Sequence, residues 1–193
     1  MAESPHLFIV GGPNGSGKTT LALEYADELV LPYVGADAIA ATLNPTDPAA
    51  AEIAAARQFI RTIQADISQK TSLVCESTLS GLTMRNLVAS ARDAGYSVSI
   101  AFLFVESADV CVARVAQRVR AGGHDVPESD IRRRFTRSIR NFWAIYRELA
   151  DRWVLLYNGK TTLEDIAVGA GDQTAVRNSD LFATFLAIVG DLR

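Results

Sequence analysis

Gly12-Pro13-Asn14-Gly15-Ser16-Gly17-Lys18-Thr19 satisfies the pattern GxxxxGK[ST] in full. The residues in front of it, Leu7 to Val10, form a short continuous apolar run that suits a strand buried on both faces of a parallel sheet. Behind it a helical pattern runs from Lys18 to about Val30. Strand, glycine-rich turn and helix in that order make an anion-binding device. The glycines let successive backbone N–H groups point inward, and the helix start adds the positive end of its dipole. In such a loop Lys18 reaches the β- and γ-phosphates of a nucleoside triphosphate and the Thr19 hydroxyl ligates Mg²⁺, while Gly12, Pro13, Asn14, Gly15, Ser16, Gly17 and Thr20 complete the phosphate-binding set. A glycine turn that merely starts a helix is the bland alternative, and the complete motif in this context argues against it.

The same alternation continues outward. Pro32 to Ala36 is a second apolar stretch ending in Asp37, and Asn44-Pro45-Thr46-Asp47-Pro48 breaks the chain before an alanine-rich helix from about Ala49 to Lys70. Ser72 to Cys75 reads as a buried strand that closes with Glu76-Ser77-Thr78 and a turn near Gly81. A helix from about Thr83 to Ala94 leads through Gly95 into Ser97 to Val105, the most β-like run. Ser107 is placed to cap a helix through Arg120, Gly122 to Pro127 interrupts it, and a further helix starts near Pro127 and continues to about Ala150. Trp153 to Tyr157 is a fifth strand and Leu181 to Val189 a last amphipathic helix, with residues 159–178 unpatterned and expected as a surface excursion. Right-handed βαβ crossovers follow. The expectation is an α/β P-loop NTPase fold over residues 1–193 as one domain, with a mostly parallel five-stranded sheet and helices on both faces.

Composition narrows the function. A chain of 193 residues with 49% hydrophobic and 21% charged residues can bury a sizeable core, and a net charge of -3 excludes a generally basic binder of nucleic acid or anionic membrane. The charge is unevenly spread. Residues 114–140 hold Arg114, Arg118, Arg120, Arg132, Arg133, Arg134, Arg137 and Arg140 against Asp125, Glu128 and Asp130, a local charge of +5 that leaves -8 for the remainder. Two arginine-bearing helices joined by Gly122 to Pro127 predict a lid, at about residues 114–140, able to close over a polyphosphate and exclude water. A solvated basic helix pair is the alternative for any single arginine. Cys75 and Cys111 sit in apolar surroundings and imply no disulfide framework, and the N-terminus lacks a signal-peptide pattern. No apolar stretch is long enough to span a bilayer, so a cytoplasmic protein without a membrane partner is expected.

A phosphate loop alone does not separate a kinase from a switch or a motor. No Asn-Lys-x-Asp guanine reader is present, and two candidate strands end in Cys75-Glu76-Ser77 and Val105-Glu106-Ser107 where a motor or transporter ATPase usually carries Asp-Glu. Phosphoryl transfer to a small molecule needs a carboxylate near the acceptor hydroxyl and cations around the transferring group. Asp37, at a strand end, is a candidate general base, and Glu76 with Thr78 could hydrogen-bond the substrate or complete the metal shell. A helix cap for Asp37 and a solvated strand end for Glu76 are the structural alternatives. His124 has no Cys or His companion at metal-ligand spacing, which leaves a loop hydrogen bond or a substrate contact. Phe135, Phe142, Trp143 and Tyr146 recur at three- and four-residue steps and are expected to face the core.

GGPNGSGKTT, GADAIA, CESTLSG and RVAQRVRAGGHDVPESDIRRRFTRSIRNF, in this order, resemble the zeta-toxin-like kinases, including the branch often labelled predicted ABC-type ATPase, over roughly residues 7–158. The resemblance implies an ATP- or GTP-dependent, Mg²⁺-requiring phosphotransferase with an alcohol acceptor, the 3′-hydroxyl of the sugar of UDP-N-acetylglucosamine. By position it implies that Lys18 and Thr19 serve nucleotide and metal, that Asp37 is the base, and that Glu76 and Thr78 contact the sugar nucleotide. Arg118 or Arg120 resembles the first lid arginine. The second precedes the following helix in the family, where this chain has Gly-Gly-His-Asp-Val, so Arg133 or Arg134 would replace it. Asn158 is implied near the nucleotide base, and an antitoxin protein is a candidate partner. The alternatives from other classes are a nucleotide-hydrolysing ATPase or switch without an acceptor, and a polynucleotide-end kinase, against which the acidic remainder of the chain argues.

Overall fold

Strand β1 (His6–Gly11) lies between β3 (Leu73–Ser77) and β4 (Ser97–Phe104), parallel to both, in a computed structural model that describes residues 4–159, 162–171 and 173–191. Leu7, Ile9 and Val10 of β1 are at most 1% exposed, as expected of a strand covered on both faces. The sheet has the order β2-β3-β1-β4-β5-β6-β7, with β2 (Tyr33–Val34) at one edge and β5 (Arg152–Asn158) parallel to β4. The chain leaves β1 for the β2 side and returns past it to β4, so the carboxyl ends of β1 and β3 border the crevice typical of open α/β sheets.

Five helical segments follow: α1 (Lys18–Glu28), α2 (Ala36–Leu43), a 3₁₀ turn (Pro48–Ala51) leading into α3 (Glu52–Gln69), and α4 (Thr83–Asp93). Of these α2 is a short helix that the apolar pattern before Asn44 does not predict. In α3, Ala55, Phe59, Ile63 and Ile67 recur every four residues and are the buried ones, which is why this face packs on the sheet. Ser107 caps α5 (Ala108–Arg120) by accepting a hydrogen bond from the Val110 N–H. After α6 (Glu128–Asn141) the helix widens into a π turn (Phe142–Tyr146) and ends in the single turn α7 (Arg147–Leu149), while α8 (Ser179–Asp191) closes the described chain. No helix among the described residues is long and apolar enough to cross a membrane.

The segment expected as a surface excursion instead forms two strands, β6 (Leu163–Ala170) and β7 (Gln173–Val176), giving seven strands rather than five. Both pair antiparallel, β6 against β5 and β7 against β6. The adjacent acids Glu164 and Asp165 and a register shift at Leu155/Leu156 break the alternation that would have marked β6. Lys160, Thr161 and Asp172 of that segment lie outside the described residues.

One face of the sheet carries the larger core. Phe142 is fully buried there, stacked on Phe102 with ring centroids 4.1 Å apart and meeting Trp153 edge-on at 6.0 Å. Phe135 and Tyr146 are buried too, so this aromatic row faces the core as its spacing implied, with Trp143 half-buried. Cys75 and Cys111 are free and buried, and burial pushes each thiol up to about 12, so both act as small apolar groups. The face covered by α1 is less complete and leaves a hollow beside Phe8, Tyr25, Leu29 and Val154. Phe142→Ala is expected to cost about 3–5 kcal/mol in urea denaturation, and a loss below about 1 kcal/mol would show that the aromatic stack is not central to the core.

Candidate functional site

The loop from Gly12 to Gly17 turns so tightly that only glycine fits at its two ends. Gly12 has φ +145, and a Cβ there would sit 2.3 Å from the Leu103 carbonyl oxygen. Gly17, with φ +95, starts α1, and a Cβ there would meet the Asn158 amide at 2.5 Å. The loop encloses Lys18, only 9% exposed, whose Nζ donates to the Pro13 carbonyl at 2.8 Å. Burial holds this ammonium below its ordinary pKa, and the nearby Glu76 and Asp37 carboxylates oppose the shift. Ser16 Oγ and Arg118 Nε are buried and find no hydrogen-bond partner among the described residues. Asn14 Oδ1, an acceptor on the same loop, is unpaired as well among these residues. The desolvated ammonium and the unpaired Arg118 donor line one cleft and suit an anion with several oxygens.

Glu76, the penultimate residue of β3, is buried at 8% exposure. Its carboxylate accepts from Thr19 Oγ1 at 2.9 and 3.1 Å and from the Tyr33 hydroxyl at 2.7 Å. Tyr33 is held protonated by burial and by the Glu76 charge. Among the described residues no group of three or more His, Cys, Asp or Glu could hold a metal alone. The Thr19–Glu76 oxygen pair therefore suits Mg²⁺, which takes one or two protein oxygens and completes its shell with phosphate and water.

The cleft around these groups has a volume of about 760 Å³, within the range of small-molecule sites. Asn14, Gly15, Gly17, Lys18, Thr19 and Thr20 line one end of it, with Glu76 and Arg118 close by. Asp37, Thr78, His124 and Arg134 line it as well. Asp37 lies in the first turn of α2 behind the cap residue Gly35, so it is not the cap; it is exposed and makes no hydrogen bond or ion pair among the described residues. His124 Nε2 lies 3.1 Å from Glu52 Oε1, and its carbonyl accepts from Arg118 Nη2 at 2.8 Å.

The arginine stretch does not act as one surface. Arg114, Arg118 and Arg134 line the cleft, whereas Arg120 turns back to the Ala116 carbonyl on its own helix and Arg133 is half exposed and lines no part of it; Asp130 pairs with both Arg133 at 2.9 Å and Arg134 at 3.5 Å. Arg132 is likewise engaged by Asp109 and Glu128 on the outside. Asn158 is not among the cleft-lining residues; its Nδ2 donates to the Ser16 carbonyl at 2.8 Å, under the phosphate loop. Pro13 contributes its carbonyl to Lys18, and Gly12 its turn.

Two further residues belong to this arrangement, Arg114 from the arginine stretch and Tyr33, which the sequence does not single out. Arg114, on α5, donates to the carbonyls of Asn158 at 3.0 Å and Gly159 at 2.8 Å and approaches that of Gly15 at 3.5 Å, tying the loop to the end of β5. Its four-residue spacing places it on the same face of α5 as Arg118. Tyr33, the partner of Glu76, carries no such signal in the sequence.

A sequence-family profile described as AAA domain matches residues 7–138. An uncharacterized protein of Haemophilus influenzae is 32% identical over 124 residues, 64% of this chain and 88% of its own. Among solved structures, a chain of AvrRxo1-ORF1:-ORF2 with ATP superposes with a TM-score of 0.76 at 17% identity over 95% of this chain, which spans 64% of that chain's length. A putative kinase from Chloroflexus aurantiacus gives 0.53 at 25% identity, covering 68% of this chain and 75% of its own. The PezAT toxin-antitoxin system of Streptococcus pneumoniae gives 0.64 at 11% identity, covering 99% and 88%. The α/β fold with helices on both faces is thus a P-loop kinase-like fold.

Arg114→Met removes the charged donor from three carbonyls and is expected to lower stability by about 1–3 kcal/mol, measured by urea denaturation; an unchanged midpoint would mean that the loop holds itself.

Proposed function

This chain belongs to the AAA domain family, and on that premise we propose that it is a nucleotide-dependent kinase that transfers the γ-phosphoryl group of ATP or GTP to a hydroxyl of a small molecule. One observation carries this: a phosphate cradle with unpaired donors opens into the same cleft as an unpartnered carboxylate, Asp37. In this proposal residues 1–193 are one domain and residues 114–140 its lid. Lys18, the Ser16 hydroxyl and the loop N–H groups bind the β- and γ-phosphates, and Thr19 and Glu76 hold Mg²⁺. When bound, the metal neutralises charge that develops on the phosphate oxygens. Asp37 takes the proton from the acceptor hydroxyl as its oxygen attacks the γ-phosphorus, the bond to the β-phosphate oxygen breaks, and Lys18 and Arg118 balance the charge left on the nucleoside diphosphate.

Thr78, His124 and Arg134 face the acceptor side. Between the alternatives left by the sequence, the cleft favours Arg118 over Arg120 and Arg134 over Arg133. The resemblance to zeta-toxin-like kinases, and the fold shared with PezAT, support UDP-N-acetylglucosamine as the acceptor and an antitoxin-type protein as a partner. The fold shared with a structure that holds ATP supports the nucleotide.

Incubation with labelled ATP, Mg²⁺ and a panel of sugar nucleotides is expected to yield a labelled acceptor; label released only as phosphate would overturn the kinase assignment in favour of a hydrolase. Asp37→Asn is expected to keep nucleotide affinity and to lower kcat by about 10²-fold or more, and a variant with full turnover would remove Asp37 as the base.

A further inference from the structure

Three side-chain donors that line no part of the cleft are aimed at the loop after β3. Ser138 Oγ donates to the Thr78 carbonyl, Asn141 Nδ2 to the Leu79 carbonyl at 2.9 Å, and the Tyr146 hydroxyl to the Gly81 carbonyl at 2.5 Å. The exposures of Ser138, Asn141 and Tyr146 are 0%, 8% and 0%. Buried polar groups of this kind are costly unless satisfied, and here each finds its partner on the same short loop.

The loop needs holding. Leu79 has φ +54, in the left-handed region that a leucine side chain disfavours, and it is itself 1% exposed. With its carbonyls turned toward α6, the loop presents the other side to the cleft, where Thr78 Oγ1 and Ser80 Oγ lie 2.9 Å apart and bond to each other. Arg134, Ser138 and Asn141 follow at steps of four and three and share one face of α6. The π turn then inserts an extra residue, so that Tyr146, five positions after Asn141, still reaches the loop.

We propose that Ser138, Asn141 and Tyr146 are positioning residues for the acceptor: they fix the loop Ser77–Gly81 and so place the Thr78–Ser80 hydroxyl pair against the substrate, in register with Arg134 on the same helix. Each hydroxyl can both donate and accept, which suits a polyhydroxylated acceptor such as a sugar. The proposal rests on the kinase assignment above. Its reach is wider than three hydrogen bonds, because the cation of α6 and the hydroxyl pair of the loop then form one rigid wall of the acceptor site.

Tyr146→Phe removes one hydroxyl and keeps the ring, so it decides the matter even where Ser138→Ala or Asn141→Ala fails to fold. With ATP and UDP-N-acetylglucosamine as the acceptor probe, its acceptor KM is expected to rise about fivefold or more while the KM for ATP stays within about twofold. Equal changes in both, or none in either, overturn the proposal. Amide hydrogen exchange provides a readout independent of turnover: peptides covering residues 77–82 are expected to exchange about fivefold faster or more in Tyr146→Phe, with residues 12–20 unchanged. Unaltered exchange at 77–82 overturns the proposal, whereas wild-type protein that transfers to no acceptor contradicts the kinase assignment and leaves the exchange measurement to judge the loop.

Discussion

The buried ammonium of Lys18 is the constraint around which the site is organised. A cation kept at 9% exposure is costly unless charges and dipoles surround it. Here its direct partner is the Pro13 carbonyl, with Glu76 and Asp37 acting through space. Glu76 is in turn restrained by Thr19 and Tyr33, so the carboxylate that offsets the lysine also marks the place suited to a divalent cation. In the proposed nucleotide complex an anion in the loop would meet the ammonium together with the unpaired Ser16 and Arg118 donors and relieve this electrostatic imbalance.

Keeping the loop in shape requires support from distant parts of the chain. Arg114 and Asn158 come from α5 and from the end of β5, and both bind loop or near-loop carbonyls. The strand order explains how they meet: β5 is two strands away from β1, on the far side of β4, and its carboxyl end projects on the same side of the sheet as the loop. The opposite neighbour, β3, delivers Glu76 and then the strained turn at Leu79. A single topological switch thus brings the glycine loop and the loop after β3 together, and α6 braces the second as Arg114 braces the first.

Much of this was legible in the sequence because it is local. The glycine spacing, the apolar run before it and the helix after it lie within some two dozen residues, and they fixed β1, the loop and α1 nearly to the residue. The rule that ligands meet strand carboxyl ends points to Asp37 and Glu76, and both line the cleft together with Thr78. What escaped depends on long-range geometry. Which arginines of residues 114–140 face inward depends on the docking of α5 and α6, and the periodicity could not separate Arg118 from Arg120 or Arg134 from Arg133. Tyr33 meets Glu76 across 43 positions, and Ser138 meets Thr78 across 60. Strand β6 escapes the sequence because paired acids and a register shift in its partner interrupt the alternation, and β7 because its four residues are all exposed and show no apolar face.

The central claim is that the loop around Lys18 is a phosphate site completed by an anion. A crystal structure of the protein with Mg²⁺ and a non-hydrolysable ATP analogue measures this directly. The expected result is Lys18 Nζ released from the Pro13 carbonyl and bonded to a phosphate oxygen, with Ser16 Oγ and Arg118 Nε newly paired. A structure with the nucleotide phosphates elsewhere, and Lys18 still bonded to Pro13, would contradict it.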